Sequence, residues 1–352
     1  MAFLTFKRIG ITGVAASIPK QKIVNAEFTG FFTPKEVESV IRMTGIAERR
    51  VADEKTCASD FCCAAAEALI EEMNIDRNEI DVLIFVSQTP DYRTPATGII
   101  LQNRLGLAKT TAAFDINLGC SGYTYGLALA YSFIQQKTIG KVLLLNGETR
   151  TKVYSFKDKS TGLLFGDGGS ATIVEKIDHD NPTCFSLNSD GSRSHMIWIK
   201  AGGYRYMSSP ETIQEKEYGD GSIRSDEQAI MDGAGIFDFT IREIPVDIER
   251  IYEHAGENYE STDFYLLHQA NKFITDHIAK KMKIPKNKVP YSIQKFGNTS
   301  SVSIPLTMVS EISDQLREQK NRIFMTGFGV GLSWASAITS IEKCVIPELV
   351  EI

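Results

Sequence analysis

Two stretches far apart in the chain carry the same three-part pattern, and this echo constrains the fold more than any other feature. The apolar run Ile80–Gln88 (IDVLIFVSQ) is matched by Thr262–Ala270 (TDFYLLHQA). Phe114–Gly122 (FDINLGCSG), with a helical run behind it, is matched by Tyr291–Ser301 (YSIQKFGNTSS). Lys141–Glu148 (KVLLLNGE) is matched by Arg322–Gly329 (RIFMTGFG). Continuous apolar runs of this length are what parallel sheets bury on both faces. The chain therefore reads as an α/β protein of two similar halves, residues 1–175 and 176–352, related by a pseudo-two-fold axis. Parallel strands place ligands at their carboxyl ends. Cys120, His268 and Asn298 each follow an expected strand, which points to one shared site. In this superposition Cys120 and Asn298 are equivalent, and His268 matches Gln88.

Cys120 lies on the elbow between an expected strand (110–117) and a helix. Gly119 and Gly122 flank it, so another backbone or a substrate can come close. Tyr123, Leu127, Tyr131 and Ile134 then recur at helical spacing along one apolar face. Helix amides at such an elbow favour a thiolate over a thiol. Two readings fit the cysteine, a covalent nucleophile or a small buried core residue. His268 and Asn298 follow apolar runs, where a polar side chain needs a partner or a function. The other four histidines lack that setting. His179 and His195 sit among polar neighbours, His254 ends a helix and His277 is mid-helix, so all read as structural or solvated.

Several further elements follow from local chemistry. Thr33 is expected to cap a helix that opens at Pro34 and runs to about Met43. Helices are expected over 59–73, 97–105, 272–282 and 301–319, and another over 234–254 that Pro245 kinks or ends. Strands are expected over 6–15, 80–87, 141–147, 171–175, 184–188, 196–200, 262–267, 289–293, 322–326 and 332–341. Gly202–Gln228 reads as a long surface loop, and Gly327–Gly331 as a glycine turn. Phe165–Ser170 is glycine-rich, but a strand follows it and the dinucleotide-binding spacing is absent.

Composition excludes several classes. A net charge of −6 without basic runs argues against a nucleic-acid partner. No apolar stretch is long enough to span a membrane. The N-terminal run is broken by Lys7, Arg8 and glycines and lacks a signal-peptide core, so a cytoplasmic location is the default. Six cysteines in 352 residues, irregularly spaced, do not form a disulfide framework. Cys57, Cys62 and Cys63 lack the partners that would complete a zinc site.

The elbow LGCSG, the run LLHQAN (Leu266–Asn271), the turn FGNTS and the run GFGVGLSWASA (Gly327–Ala337) together resemble the ketoacyl-ACP synthase III family. FGDGGSA (Phe165–Ala171) and TGIAERR (Thr44–Arg50) match as well, so the resemblance covers essentially the whole chain. It implies a five-layered αβαβα thiolase-like fold and a homodimer that needs no metal or redox cofactor. It also implies decarboxylating condensation of an acyl-CoA with malonyl-ACP, giving a 3-oxoacyl-ACP in fatty acid or related acyl-chain biosynthesis. Cys120 resembles the acyl-accepting nucleophile. His268 and Asn298 resemble the pair that binds the malonyl thioester and drives decarboxylation. Gly331 resembles the residue whose N–H, with that of Cys120, forms the oxyanion hole.

Peripheral positions follow the family less closely. Lys280 and Lys281 resemble its basic pair and would contact acyl carrier protein, unless they are simply a solvated helix face. Lys159 stands where many members carry an arginine that, with a tryptophan missing here, sandwiches the CoA adenine. Lys159 is thus a candidate CoA contact, and another thioester donor stays open. Thr94 stands where a bulky aromatic closes the acyl pocket of the neighbouring subunit in short-primer members, which implies a primer longer than acetyl. Three alternatives remain: a specialised acyl pathway, transfer to a non-carbon nucleophile, and an inactive partner subunit. The intact His268 and Asn298 weigh against the second and the intact Cys120 against the third.

Overall fold

The computed structural model of the chain describes residues 2–28 and 30–352. Eleven strands build its two main sheets. They are β1 (Ala2–Phe6), β2 (Ile9–Ile18), β3 (Val82–Val86), β4 (Ala112–Ile116), β5 (Lys141–Glu148), β6 (Gly168–Lys176), β7 (Thr183–Ser189), β8 (Phe264–Leu267), β9 (Asn321–Gly329), β10 (Ser333–Ile341) and β11 (Val350–Glu351). The helices are α1 (Pro34–Thr44), α2 (Ala58–Glu72), α3 (Thr97–Arg104), α4 (Gly122–Ile134), α5 (Gly233–Ala255), α6 (Lys272–Lys281), α7 (Ile293–Phe296), α8 (Ser303–Glu311) and α9 (Ser313–Glu318). The first sheet runs β11-β2-β6-β5-β3-β4 and the second β1-β7-β10-β9-β8. In both, a parallel pair (β3 with β5, β8 with β9) lies beside antiparallel neighbours (β6, β10). The two sheets thus share their inner order, and each takes its outer strand from the opposite end of the sequence.

Period-two alternation explains the apolar runs. Val82, Ile84 and Val86 of β3, with Val142 and Leu144 of β5, point into a central layer with Leu266, Ile323 and Met325 of the second sheet. Tyr123, Leu127, Tyr131 and Ile134 of α4, with Ile304 and Met308 of α8, fill that layer. Leu83, Phe85, Leu143 and Leu145 face the other way, onto Ala58, Cys62, Ala65, Ala66 and Leu69 of α2. Tyr265, Leu267, Phe324 and Ile338 face Phe239, Ile244, Ile248 and Ile251 of α5. The result is helix, sheet, helix, sheet, helix: the expected five layers. Each Val, Leu, Ile, Phe or Met side chain buried in them contributes about 1.5–3 kcal/mol.

Local signals were also accurate at α1. Thr33 caps it, accepting from Glu36 N at 3.3 Å, while Glu36 Oε2 accepts from Thr33 N at 2.7 Å. Other elements differ from expectation. The strand expected over 289–293 does not form. Pro290 removes a ladder donor there, and a short turn leads into α7 instead. The glycine turn is shorter than expected, because β9 continues through Gly327 to Gly329, paired with Ser333 of β10. Pro245 does not end α5, which runs on to Ala255. The helix expected over 301–319 is split between α8 and α9 at Ile312, which leaves the helical region with φ −136°. The first expected strand is divided by Lys7 and by Arg8, whose φ is +55°. The 196–200 strand shrinks to Ile197–Trp198, paired with Ile230–Met231.

Candidate active site

The site lies at the carboxyl ends of the central strands, where the two halves meet. β4 delivers the chain to the elbow and α4 leaves it, so Cys120 is fixed between two rigid elements. Close packing around the elbow requires its glycines. A Cβ on Gly122 would fall 2.6 Å from Val86 Cγ1. A Cβ on Gly329, whose φ is +156°, would fall 3.0 Å from the Cys120 sulfur. The end of β9 therefore presses its backbone against the thiol.

Cys120, His268 and Asn298 come from three distant stretches and all line one inner cavity of about 50 Å³. Arg150, Tyr154, Phe165, Phe328, Gly329 and Val330 complete much of its wall. Leu164, Met231, Gly233, Asn271 and Ile274 also line a wider outer cavity of about 420 Å³, so the two form one passage. Lys159, Val40, Met43, Phe237 and Phe273 stand at its outer part. A larger cavity of 640 Å³, between α1 and the 26–32 stretch, shares no lining residue with the inner one.

Burial sets the protonation states. It pushes the Cys120 thiol up, against the opposing pull of the Arg150 charge, the Ser300 hydroxyl and the backbone N–H groups of Val330 and Cys120. The resting group is a thiol, so the thiolate expected from the helix end is outweighed by desolvation. His268 is fully buried, and desolvation takes it down to about 3, so its ring is neutral. Its Nδ1 lies 2.7 Å from Ser303 Oγ. Ser303 Oγ also accepts from Gln269 N at 3.5 Å, an arrangement that suits Ser303 donating to Nδ1 and leaves the ring proton on Nε2. Asn298 Oδ1 accepts from Ser300 N at 2.9 Å, and its Nδ2 donates to Ala270 O at 3.5 Å. The site thus offers a thiol beside two neutral N–H donors.

The remaining candidates are placed as follows. Gly331 lies one residue beyond the cavity wall; it is Val330 whose amide faces the sulfur. Thr94 is exposed, on the segment between β3 and α3, away from this chain's own cavity. Lys159 Nζ sits 4.7 Å and 4.9 Å from the ring centroids of Phe31 and Phe32 and 2.9 Å from Glu36 Oε1. That contact helps hold the Glu36 carboxyl down to about 2. Lys280 and Lys281 are exposed at the far end of α6 from the passage, with Lys281 Nζ donating to Ile241 O at 2.8 Å.

Sequence reasoning missed Glu148 and Arg150, both almost wholly buried at the end of β5. Glu148 is pushed up to about 7 by burial, with Arg150 pulling the other way. Its Oε1 accepts from Ser300 Oγ at 3.4 Å, and Ser300 Oγ lies 3.8 Å from Cys120 Sγ. The signal that singled out His268, a polar residue closing an apolar strand, was present here too.

A cysteine on a strand-to-helix elbow, facing a buried neutral histidine and an asparagine from the matching half, defines a condensing enzyme of the thiolase fold. Comparison with known proteins narrows the class. Residues 114–191 match the family described as 3-oxoacyl-[acyl-carrier-protein] synthase III, and residues 252–341 its C-terminal part. A beta-ketoacyl-[acyl-carrier-protein] synthase III of Caldanaerobacter subterraneus is 31% identical over 95% of this chain and 98% of that protein. The structure of a 3-oxoacyl-(acyl-carrier protein) synthase from Burkholderia xenovorans superposes with a TM-score of 0.94 at 38% identity, covering 100% of this chain and 99% of the other. A synthase III from Aquifex aeolicus superposes at 0.78 with 30% identity over 94% and 99%. The chain belongs to the 3-oxoacyl-[acyl-carrier-protein] synthase III family, and it is an acyltransferase.

Proposed function

We propose that the protein condenses an acyl thioester, acyl-CoA by preference, with malonyl-ACP to give a 3-oxoacyl-ACP through an acyl-Cys120 intermediate, in fatty acid or related acyl-chain biosynthesis. The observation that carries this is the convergence of Cys120, His268 and Asn298 on one buried cavity. In the first half-reaction the Cys120 sulfur attacks the thioester carbonyl. A carbon–sulfur bond to Cys120 forms, the one to the donor breaks, and the thiol proton ends on the departing thiol. The Cys120 and Val330 amides are suited to hold the oxyanion. In the second, malonyl-ACP loses CO2. His268 Nε2–H and the Asn298 amide hydrogen-bond the developing enolate oxygen without adding net charge. The enolate carbon then attacks the acyl-Cys120 carbonyl and the thiolate leaves.

Other assignments rest on this reading. Lys159, over two phenylalanine rings at the passage, is the CoA contact. Lys280 and Lys281 meet the carrier protein at one end of α6, about 10 Å along the helix from Phe273 and Ile274, which line the passage. The working unit is a cytoplasmic homodimer in which Thr94 reaches the partner's acyl pocket, and within each subunit residues 1–175 and 176–352 are the two halves. Incubating the protein with an acyl-CoA and weighing the Cys120 peptide tests the first step; adding malonyl-ACP tests the second. An unmodified Cys120 across a panel of acyl-CoAs would refute the reading.

A further inference from the structure

Arg150 is the only cationic side chain on the inner cavity wall among the described residues. It is 4% exposed, and its guanidinium lies against the rings of Tyr154 and Phe165, 5.2 Å and 5.8 Å from their centroids. Few acceptors reach it. One terminal nitrogen donates to Tyr154 Oη at 3.0 Å and the other to Gln88 Oε1 at 3.3 Å. Glu148 balances the charge only at 3.9 Å, beyond hydrogen-bond range, while its own oxygens are engaged by Thr89 and Ser300. The Nε–H has no acceptor among the described residues. A buried guanidinium with an unused donor is costly unless something supplies an oxygen. A plain alkyl chain would make it worse by excluding water without replacing its hydrogen bonds.

We infer that the acyl group received by Cys120 is short and carries a neutral acceptor oxygen on its chain, a hydroxyl or a carbonyl, which Arg150 binds. This rests on the acyl-cysteine reading above and makes Arg150 a specificity-determining residue. Size agrees with it within one chain: the space beside Cys120 is about 50 Å³, room for roughly four water-sized groups before any that the partner subunit adds. Charge agrees as well. Glu148, 3.9 Å away and pushed up to about 7 by burial, already offsets part of the Arg150 charge, so a substrate carboxylate would crowd a second acid against it, whereas a neutral oxygen leaves that pair undisturbed.

The test is competitive loading of Cys120 from butyryl-, 3-hydroxybutyryl- and succinyl-CoA, read as kcat/KM from the mass of the Cys120 peptide. The 3-hydroxybutyryl group should load about 10- to 100-fold faster than butyryl, the range of one hydrogen bond to a charged group. Arg150→Leu should bring the two level or reverse them, and Arg150→Lys should keep part of the preference. Butyryl loading as fast as 3-hydroxybutyryl in the wild type, or succinyl loading fastest, would overturn the inference while leaving the acyl-cysteine reading intact. A general loss in Arg150→Leu with the ranking unchanged would also overturn it, showing that Arg150 serves only the thiol. If Arg150→Leu does not fold, the wild-type ranking decides. No label on Cys120 from any thioester would defeat both readings.

Discussion

The two halves use the same strands to do different things. In the first half β3 has a further parallel neighbour, β4, and the chain runs from β4 straight through the elbow into α4. In the second half β8 is the sheet edge. Among the described residues no strand stands in the place of β4, and Asn298 arrives from the short helix α7. The ends of the middle strands differ in the same way. β5 ends in the charged pair of Glu148 and Arg150, whereas β9 ends in Phe328 and Gly329 with no side-chain charge. On the proposed reading the first half supplies the covalent centre, with a buried acid and base beside it, and the second supplies neutral hydrogen-bond donors. The similar strand order fixes where groups converge, and under that reading local sequence decides which half bonds to the acyl group and which polarises the extender.

That contrast can be broken most severely at Cys120. Cys120→Ser should lose acyl-enzyme formation by more than about 10³-fold, since no base is placed to activate a hydroxyl. Condensation at near wild-type rate would remove the first half's covalent role. The second half should fail differently. His268→Ala and Asn298→Ala should still load the acyl group yet lose malonyl decarboxylation by about 10²- to 10³-fold, as for one lost donor. Equal loss of both steps would dissolve the division of labour. Because His268 is held down to about 3, any titration of decarboxylation near neutral pH should come from Glu148 and vanish in Glu148→Gln, with none left near pH 6.5 from the imidazole.

Stability against pH sharpens the contrast further. Glu148 is held up to about 7 from an ordinary 4.5, so the folded protein keeps that proton longer than the unfolded chain. Its contribution is full below pH 4.5 and is lost as pH rises through 7, by roughly 3 kcal/mol at most. Urea unfolding at pH 5 and pH 8 should show this fall in the wild type and not in Glu148→Gln. Parallel behaviour of the two proteins would show that burial does not perturb Glu148. The smallest effect concerns Thr94. Wild type should prefer butyryl- over acetyl-CoA, with about 0.8 kcal/mol for each added methylene. Thr94→Phe should erase that preference. A wild-type preference for acetyl, unchanged in the variant, would remove Thr94 from the acyl pocket.

What the sequence revealed depended on whether a signal was local. The α1 cap, the α4 face and the apolar strands were legible because short-range spacing determines them. Cys120 and His268 stood out because each breaks an apolar pattern at its end. Asn298 was identified correctly as a cavity residue but by a partly wrong route, since Val289–Ile293 mimics a strand and Pro290 forbids one. Gly327–Gly331 was read as a turn from its glycines, although Gly327 and Gly329 allow close approach inside a strand. Their partner there, the Cys120 elbow, is two hundred residues distant and invisible to local reasoning. Glu148 closes an apolar strand as His268 does, but an acid and a base two residues apart at a strand end look like an ordinary exposed turn, and only their burial separates the two cases.

The exchanged outer strands have a consequence for how the molecule is made. β1 pairs with β7, and β11 pairs with β2, where Lys20 N donates to Ile352 O at 2.8 Å. During synthesis the first sheet emerges without its outer strand, and β1 waits for a partner some 180 residues downstream. Until residues near 350 leave the ribosome, β2 presents an open edge, the kind of surface on which nascent chains pair with one another. Such closure between distant segments is slow relative to local folding. Overproduction at high temperature should therefore trap chains at this stage, and lowering the rate of initiation, so that fewer open edges coexist, should rescue them.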